Sequence, residues 1–133
     1  MQGRLLQDWL PVLRSLLPIH LETNGTLGEA FAPLAAHVDW VSMDIKLASQ
    51  TGEPTPWAAH GEFLALAAGL GCCKVVVGPE TPVAEVLQAA ELLRRKPPKV
   101  QMILQPITRQ GRVGTTSGHL LLLQEQAARI HPW

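Results

Sequence analysis

The sequence has no surplus of charge: eleven Lys+Arg offset eleven Asp+Glu, for a formal net charge of +0. Without a basic excess it has nothing to draw it to phosphate backbones or anionic membranes, and no direct nucleic-acid partner is expected. It also lacks any apolar run near the ~20 residues that span a bilayer, so no membrane association is expected. The opening Met1-Gln2-Gly3-Arg4 has neither the apolar stretch nor the small-residue cleavage site of a signal peptide, which makes the cytoplasm the expected location. Cysteine is scarce. Cys72 and Cys73 are adjacent, which gives neither a disulfide framework nor a C-x2-C metal knuckle and suits a reducing compartment. The five histidines, His20, His37, His60, His119 and His131, show no H-x-H or HExxH spacing, so no zinc or non-haem iron site is expected. What is abundant is apolar: 47% of the 133 residues are hydrophobic against 17% charged, a composition that folds, at a length that fits one domain.

Four β-type runs alternate with helical stretches, the pattern of an α/β fold with a parallel sheet. The runs are 19–24, 39–47, 72–77 and 100–105, closed by Gly25, a polar loop over 49–56, Gly78-Pro79 and Pro106 respectively. Helical spacing predicts helices over Trp9–Leu17, capped by Asp8 with Pro11 in its first turn, over Glu29–His37, and over Trp57–Leu70 stopped by Gly71. A further helix is predicted over Val83–Arg95, with Thr81 as N-cap, Pro82 at the first helical position and Arg94-Arg95-Lys96 at its negative end. The last covers Leu120–Ile130, after a flexible Gly-rich loop over Gln110–Gly118.

Alternation in the second run puts Val41, Met43, Ile45 and Leu47 on one face and Trp40, Ser42, Asp44 and Lys46 on the other. A parallel sheet covered on both faces is apolar throughout, so a polar face suggests a barrel lumen or a ligand-lined sheet. A solvent-facing sheet side gives the same pattern. Glu22 and Asn24 share a face in the first run, and Gln101, Ile103 and Gln105 in the fourth, with polar groups near strand C-terminal ends, where α/β barrels keep their chemistry. Asp44 and Lys46 present an acceptor and a donor together, as a zwitterionic or ribose-bearing ligand requires; a mutual ion pair is the plainer reading. Glu22-Thr23-Asn24-Gly25 places three hydrogen-bonding side chains at a strand end, where turn chemistry alone also accounts for them. The adjacent cysteines point to opposite sides of their strand and read as structural.

Taken in order, Leu21-Glu22-Thr23-Asn24-Gly25-Thr26, Val41-Ser42-Met43-Asp44-Ile45-Lys46-Leu47, Ser49-Gln50-Thr51-Gly52, Lys74-Val75-Val76-Val77 and Leu104-Gln105-Pro106 resemble the radical S-adenosylmethionine family, in its branch that makes 7-carboxy-7-deazaguanine. Leu5-Leu6-Gln7 resembles the residues after that family's GGEP motif. The resemblance implies a (β/α) barrel lyase that binds S-adenosylmethionine, a [4Fe-4S] cluster and Mg2+, and contracts the ring of 6-carboxy-5,6,7,8-tetrahydropterin on the way to queuosine, a modified tRNA nucleoside. It implies Ser42, Asp44, Lys46 and Gln105 as cofactor-binding residues and Glu22, Thr23 and Asn24 as substrate-binding residues. It further implies an electron donor such as flavodoxin and a homodimer.

The chain departs from this pattern where the cluster is held. The family's C-x3-C-x2-C loop is absent, and Gly3-Arg4 stands where GGEP ends. The resemblance therefore predicts a single, partial barrel domain over 1–133 with about four parallel strands, lacking the first strands and the ligands for the cluster and Mg2+. It also predicts that the chain stops short of the family's last strand and that no residue here is itself catalytic. Such a chain is expected to be inactive alone. The alternative is a non-catalytic binding module of the same barrel that docks another subunit through its open sheet edge.

Overall fold

The computed structural model describes residues 2–67, 71–95 and 100–132. It begins with helix α1, Gln2–Arg14, which extends upstream of the expected Trp9–Leu17 and so carries Asp8 and Pro11 in its interior. The spacing of Leu6 and the buried Leu10 against the core accounts for this extension, despite the backbone donor that Pro11 lacks. Strand β1, His20–Thr23, follows. The single helix expected over Glu29–His37 divides into one turn, α2 Gly28–Phe31, and a 3-10 segment Ala32–His37 with Pro33 near its start.

Next come strand β2, Trp40–Lys46, a single turn α3, Ala48–Thr51, and helix α4, Trp57–Leu66. The expected α4 ending at Leu70 falls on residues outside those described. Strand β3, Gly71–Val77, leads to α5, Val83–Arg94. Thr81 does not cap α5. Its Oγ1 accepts the Gly78 N–H at 2.8 Å, and Pro82 takes the cap position in extended conformation. Strand β4, Gln101–Pro106, is followed by a small hairpin of β5 (Thr108–Arg109) and β6 (Arg112–Val113) where a flexible loop was expected. Gln110 and Gly111 both take positive φ, 49° and 75°, which is what a two-residue hairpin turn requires. Helix α6, Ser117–Ala128, starts earlier than predicted because Thr116 caps it, accepting the His119 N–H at 3.2 Å.

The four long strands form one parallel sheet in the order β1-β2-β3-β4. Met43, Ile45, Cys73, Val75 and Val77 on one side join Phe63 of α4, Val86 and Leu93 of α5 and Leu123 of α6 in a single buried core. Each large side chain so withdrawn from water contributes roughly 1.5–3 kcal/mol. The opposite side of the sheet is open: Trp40 stays 48% exposed and Ile103 37% exposed. Helices packed on one face and polar strand residues left on the other make this an α/β fold with a single-sided sheet.

Candidate functional site

Parallel pairing in register carries side-chain direction from strand to strand, so partners across the ladder share a face. Glu22 pairs with Ser42, Ser42 with Cys72 and Cys72 with Gln101. Asp44 pairs with Lys74, and Lys46 with Val76, which in turn pairs with Gln105. Five of the seven residues singled out in the sequence, Glu22, Ser42, Asp44, Lys46 and Gln105, therefore meet on the uncovered face. The register, which no single strand reveals, is what assembles them.

Thr23 and Asn24 are placed differently. Thr23 pairs with Met43 on the covered side, and its Oγ1 accepts the Gly25 N–H at 3.1 Å. Asn24 lies just past the end of β1, where its Oδ1 accepts the Thr26 N–H at 3.3 Å and the Thr26 hydroxyl at 2.9 Å. Both shape the turn into which Glu22 leads. His60 of α4 holds the same turn: its Nδ1 lies 3.1 Å from the Gly25 carbonyl oxygen.

Within the polar face the ion pairing differs from the plain reading of the sequence. Asp44 pairs with Lys74 of the next strand, Nζ to Oδ1 at 3.2 Å, and Lys74 also reaches Glu22 Oε1 at 3.3 Å. Asp44 beside it raises the Lys74 ammonium above its ordinary value by more than desolvation lowers it, and Glu22 adds to the rise. Lys46, exposed, makes no ion pair among the described residues. Asp44 Oδ1, the oxygen that meets the ammonium, is shielded from solvent, so the exposed third of this side chain lies on its other atoms. The face thus offers a part-exposed carboxylate, one of whose oxygens is held by Lys74, and, two residues along, a cation with no ion pair among the described residues.

Ser42 is buried, its Oγ 2.8 Å from His20 Nε2 and 3.5 Å from Cys72 Sγ. His20, Cys72 and Lys74 were not among the residues the sequence singled out. For Lys74 the signal was available, as a lone cation in the run Cys72-Cys73-Lys74-Val75-Val76-Val77 that alternation sets beside Asp44.

No group of three or more His, Cys, Asp or Glu side chains that could hold a metal ion occurs among the described residues. Cys73 is buried in the core, where desolvation above all pushes its thiol far above the ordinary range. Cys72, its neighbour, faces the other side. The two thiols cannot close on one cluster, so these residues do not fit a [4Fe-4S] centre. Nor do they supply a Mg2+ site. No helix among those residues is long and apolar enough to cross a membrane.

No family model matches the chain, and no solved structure matches it. Among curated proteins it is 41% identical over 127 residues to 7-carboxy-7-deazaguanine synthase of Geobacter sulfurreducens (strain ATCC 51573 / DSM 12127 / PCA), across 94% of this chain and 51% of the relative. The chain therefore spans about half the length of the curated relative it matches. The relative is an enzyme of the branch to which the Leu21–Thr26 and Val41–Leu47 motifs pointed, so the resemblance read in the sequence is borne out.

Proposed function

We propose that this chain forms the cofactor- and substrate-facing part of a radical S-adenosylmethionine (β/α) barrel. In its complete form that barrel is a cytoplasmic lyase, contracting 6-carboxy-5,6,7,8-tetrahydropterin to 7-carboxy-7-deazaguanine for queuosine and other 7-deazapurines. The observation that carries the reading is 41% identity over 94% of the chain, and the motifs read in the sequence fall at the strands of the polar face. A single-sided parallel sheet in sequential strand order is also what part of such a barrel would look like.

The residues present suit S-adenosylmethionine. Asp44, whose Oδ2 stands clear of the Lys74 ammonium, would take a hydroxyl or ammonium hydrogen there, and Lys46, without an ion pair among the described residues, would donate to a carboxylate or ring nitrogen. Gln105 completes that end of the face, and Ser42 supports it from within the sheet. Bound there, S-adenosylmethionine would supply, on one-electron reduction through the cluster of the complete enzyme and loss of methionine, a 5′-deoxyadenosyl radical for hydrogen abstraction. Glu22 contacts the pterin, and Thr23 and Asn24 fix the turn that aims it. In the complete enzyme an electron donor such as flavodoxin and a second copy as homodimer partner belong to this reading. The sequence has two cysteines where the cluster needs three thiolates, and no group that could hold Mg2+ occurs among the described residues, so the chain alone performs no radical chemistry.

Anaerobic iron–sulfur reconstitution of the 133-residue chain, followed by an assay for 5′-deoxyadenosine, tests the last point. The expected result is no retained cluster and no product; robust turnover would overturn it. A chain that takes up neither S-adenosylmethionine nor a pterin would instead support the non-catalytic module, with the edge strands β1 and β4 as its docking sites.

A further inference from the structure

Lys74 stands at the centre of the polar face. Its ammonium bridges carboxylates from two other strands, 3.3 Å from Glu22 Oε1 on β1 and 3.2 Å from Asp44 Oδ1 on β2. The cation is the more shielded group, its side chain 20% exposed against 69% for Glu22 and 33% for Asp44. Water therefore reaches Glu22 more freely than the ammonium, while Asp44 Oδ1 is closed off from solvent against it. An ammonium withdrawn from water in a strand of valines persists because it is paired, and here both partners come from elements that carry proposed ligand contacts.

Ion pairs to carboxylates as open to solvent as Glu22 add little to stability, so stability alone gives little reason for a lysine at this position. What a shared ammonium does provide is orientation. It engages one oxygen of each carboxylate and leaves the other oxygen of each for a ligand. It also offsets the repulsion between two acidic groups that would otherwise turn away from one another.

We infer that Lys74 is a positioning residue that orients the cofactor-side carboxylate Asp44 and the substrate-side carboxylate Glu22 together, so that losing its charge disturbs both subsites at once. The inference rests on the function proposed above. Lys46, which pairs with neither carboxylate, serves the cofactor subsite alone.

The test is equilibrium binding of S-adenosylmethionine and, separately, of 6-carboxypterin to the 133-residue chain and to its variants. Lys74→Met is expected to weaken both ligands at least tenfold, and Lys74→Arg, which keeps the charge, to stay within threefold of wild type for both. Lys46→Ala is expected to weaken S-adenosylmethionine only. Lys74→Gln, of similar length and uncharged, provides a second variant should Lys74→Met fail to fold by circular dichroism, with the same tenfold losses expected. A folded Lys74→Met or Lys74→Gln that binds both ligands like wild type, or loses only one, would overturn the inference and leave the proposed function standing. Wild-type chain that binds neither ligand would overturn the proposed function and the inference with it.

Discussion

His60 Nδ1 lies 3.1 Å from the carbonyl oxygen of Gly25, joining the buried interior of α4 to the turn that follows β1. A carbonyl can only accept, so Nδ1 carries the proton and Nε2 is left as a bare acceptor. Nε2 is buried and has no hydrogen-bond partner. The residue as a whole is 2% exposed. The turn that aims Glu22 is thus held by a neutral imidazole.

That arrangement predicts a pH dependence. Desolvation lowers the His60 pKa below the ordinary 6.5, outweighing the Gly25 hydrogen bond, which raises it. The unfolded chain then binds a proton more readily than the folded one. Stability from this group is complete above pH 6.5 and is lost as pH falls from there through the folded pKa. Thermal unfolding followed between pH 7.5 and 5 should show a falling midpoint. His60→Phe should flatten that slope while removing one buried hydrogen bond, at a cost of about 1–3 kcal/mol at neutral pH. An unchanged slope in the variant would assign the effect elsewhere.

Gly25 itself predicts a second loss. It sits at φ +61°, and a Cβ there would collide with the side chain of Met43 in the core. Left-handed backbone alone disfavours a non-glycine residue by roughly 1–2 kcal/mol. Overpacking adds typically 1–3 kcal/mol more. Gly25→Ala should therefore lower stability to chemical denaturation by about 2 kcal/mol or more. A wild-type midpoint would mean that the turn relaxes without strain.

The two cysteines should behave as opposites. Cys73 is fully buried with a strongly raised pKa, whereas Cys72 is half-buried on the polar face. Iodoacetamide should modify Cys72 alone in the native chain and both residues in urea, read by intact mass. Equal native reactivity would contradict the opposed placement that keeps these thiols from sharing a cluster.

Much of the fold was legible from local pattern. The four long strands fall within one or two residues of their predicted bounds, because period-2 alternation and Gly or Pro punctuation mark them directly. The misses occur where a local interaction outweighs periodicity. Thr116 rather than a later residue starts α6, Pro33 divides the second helix, and Thr81 spends its hydroxyl on Gly78 rather than on a cap. The candidate site was legible one strand at a time. Asp44 and Lys46 were visible as a pair on β2, but their true neighbours depend on register across three strands, which sets Lys74 beside Asp44 and leaves Lys46 without an ion pair among the described residues. Asn24, which the sequence sets at a strand end where turn chemistry also accounts for it, closes the turn by bonding to Thr26.

The central claim is that the open sheet face holds an adenosyl cofactor through Asp44 and Lys46. The most direct test is isothermal titration of S-adenosylmethionine into the 133-residue chain, alongside Asp44→Asn. Saturable one-to-one binding by the wild type and at least a tenfold weaker affinity in the variant are expected. Wild-type chain that shows no binding, or a variant that binds equally well, would contradict it.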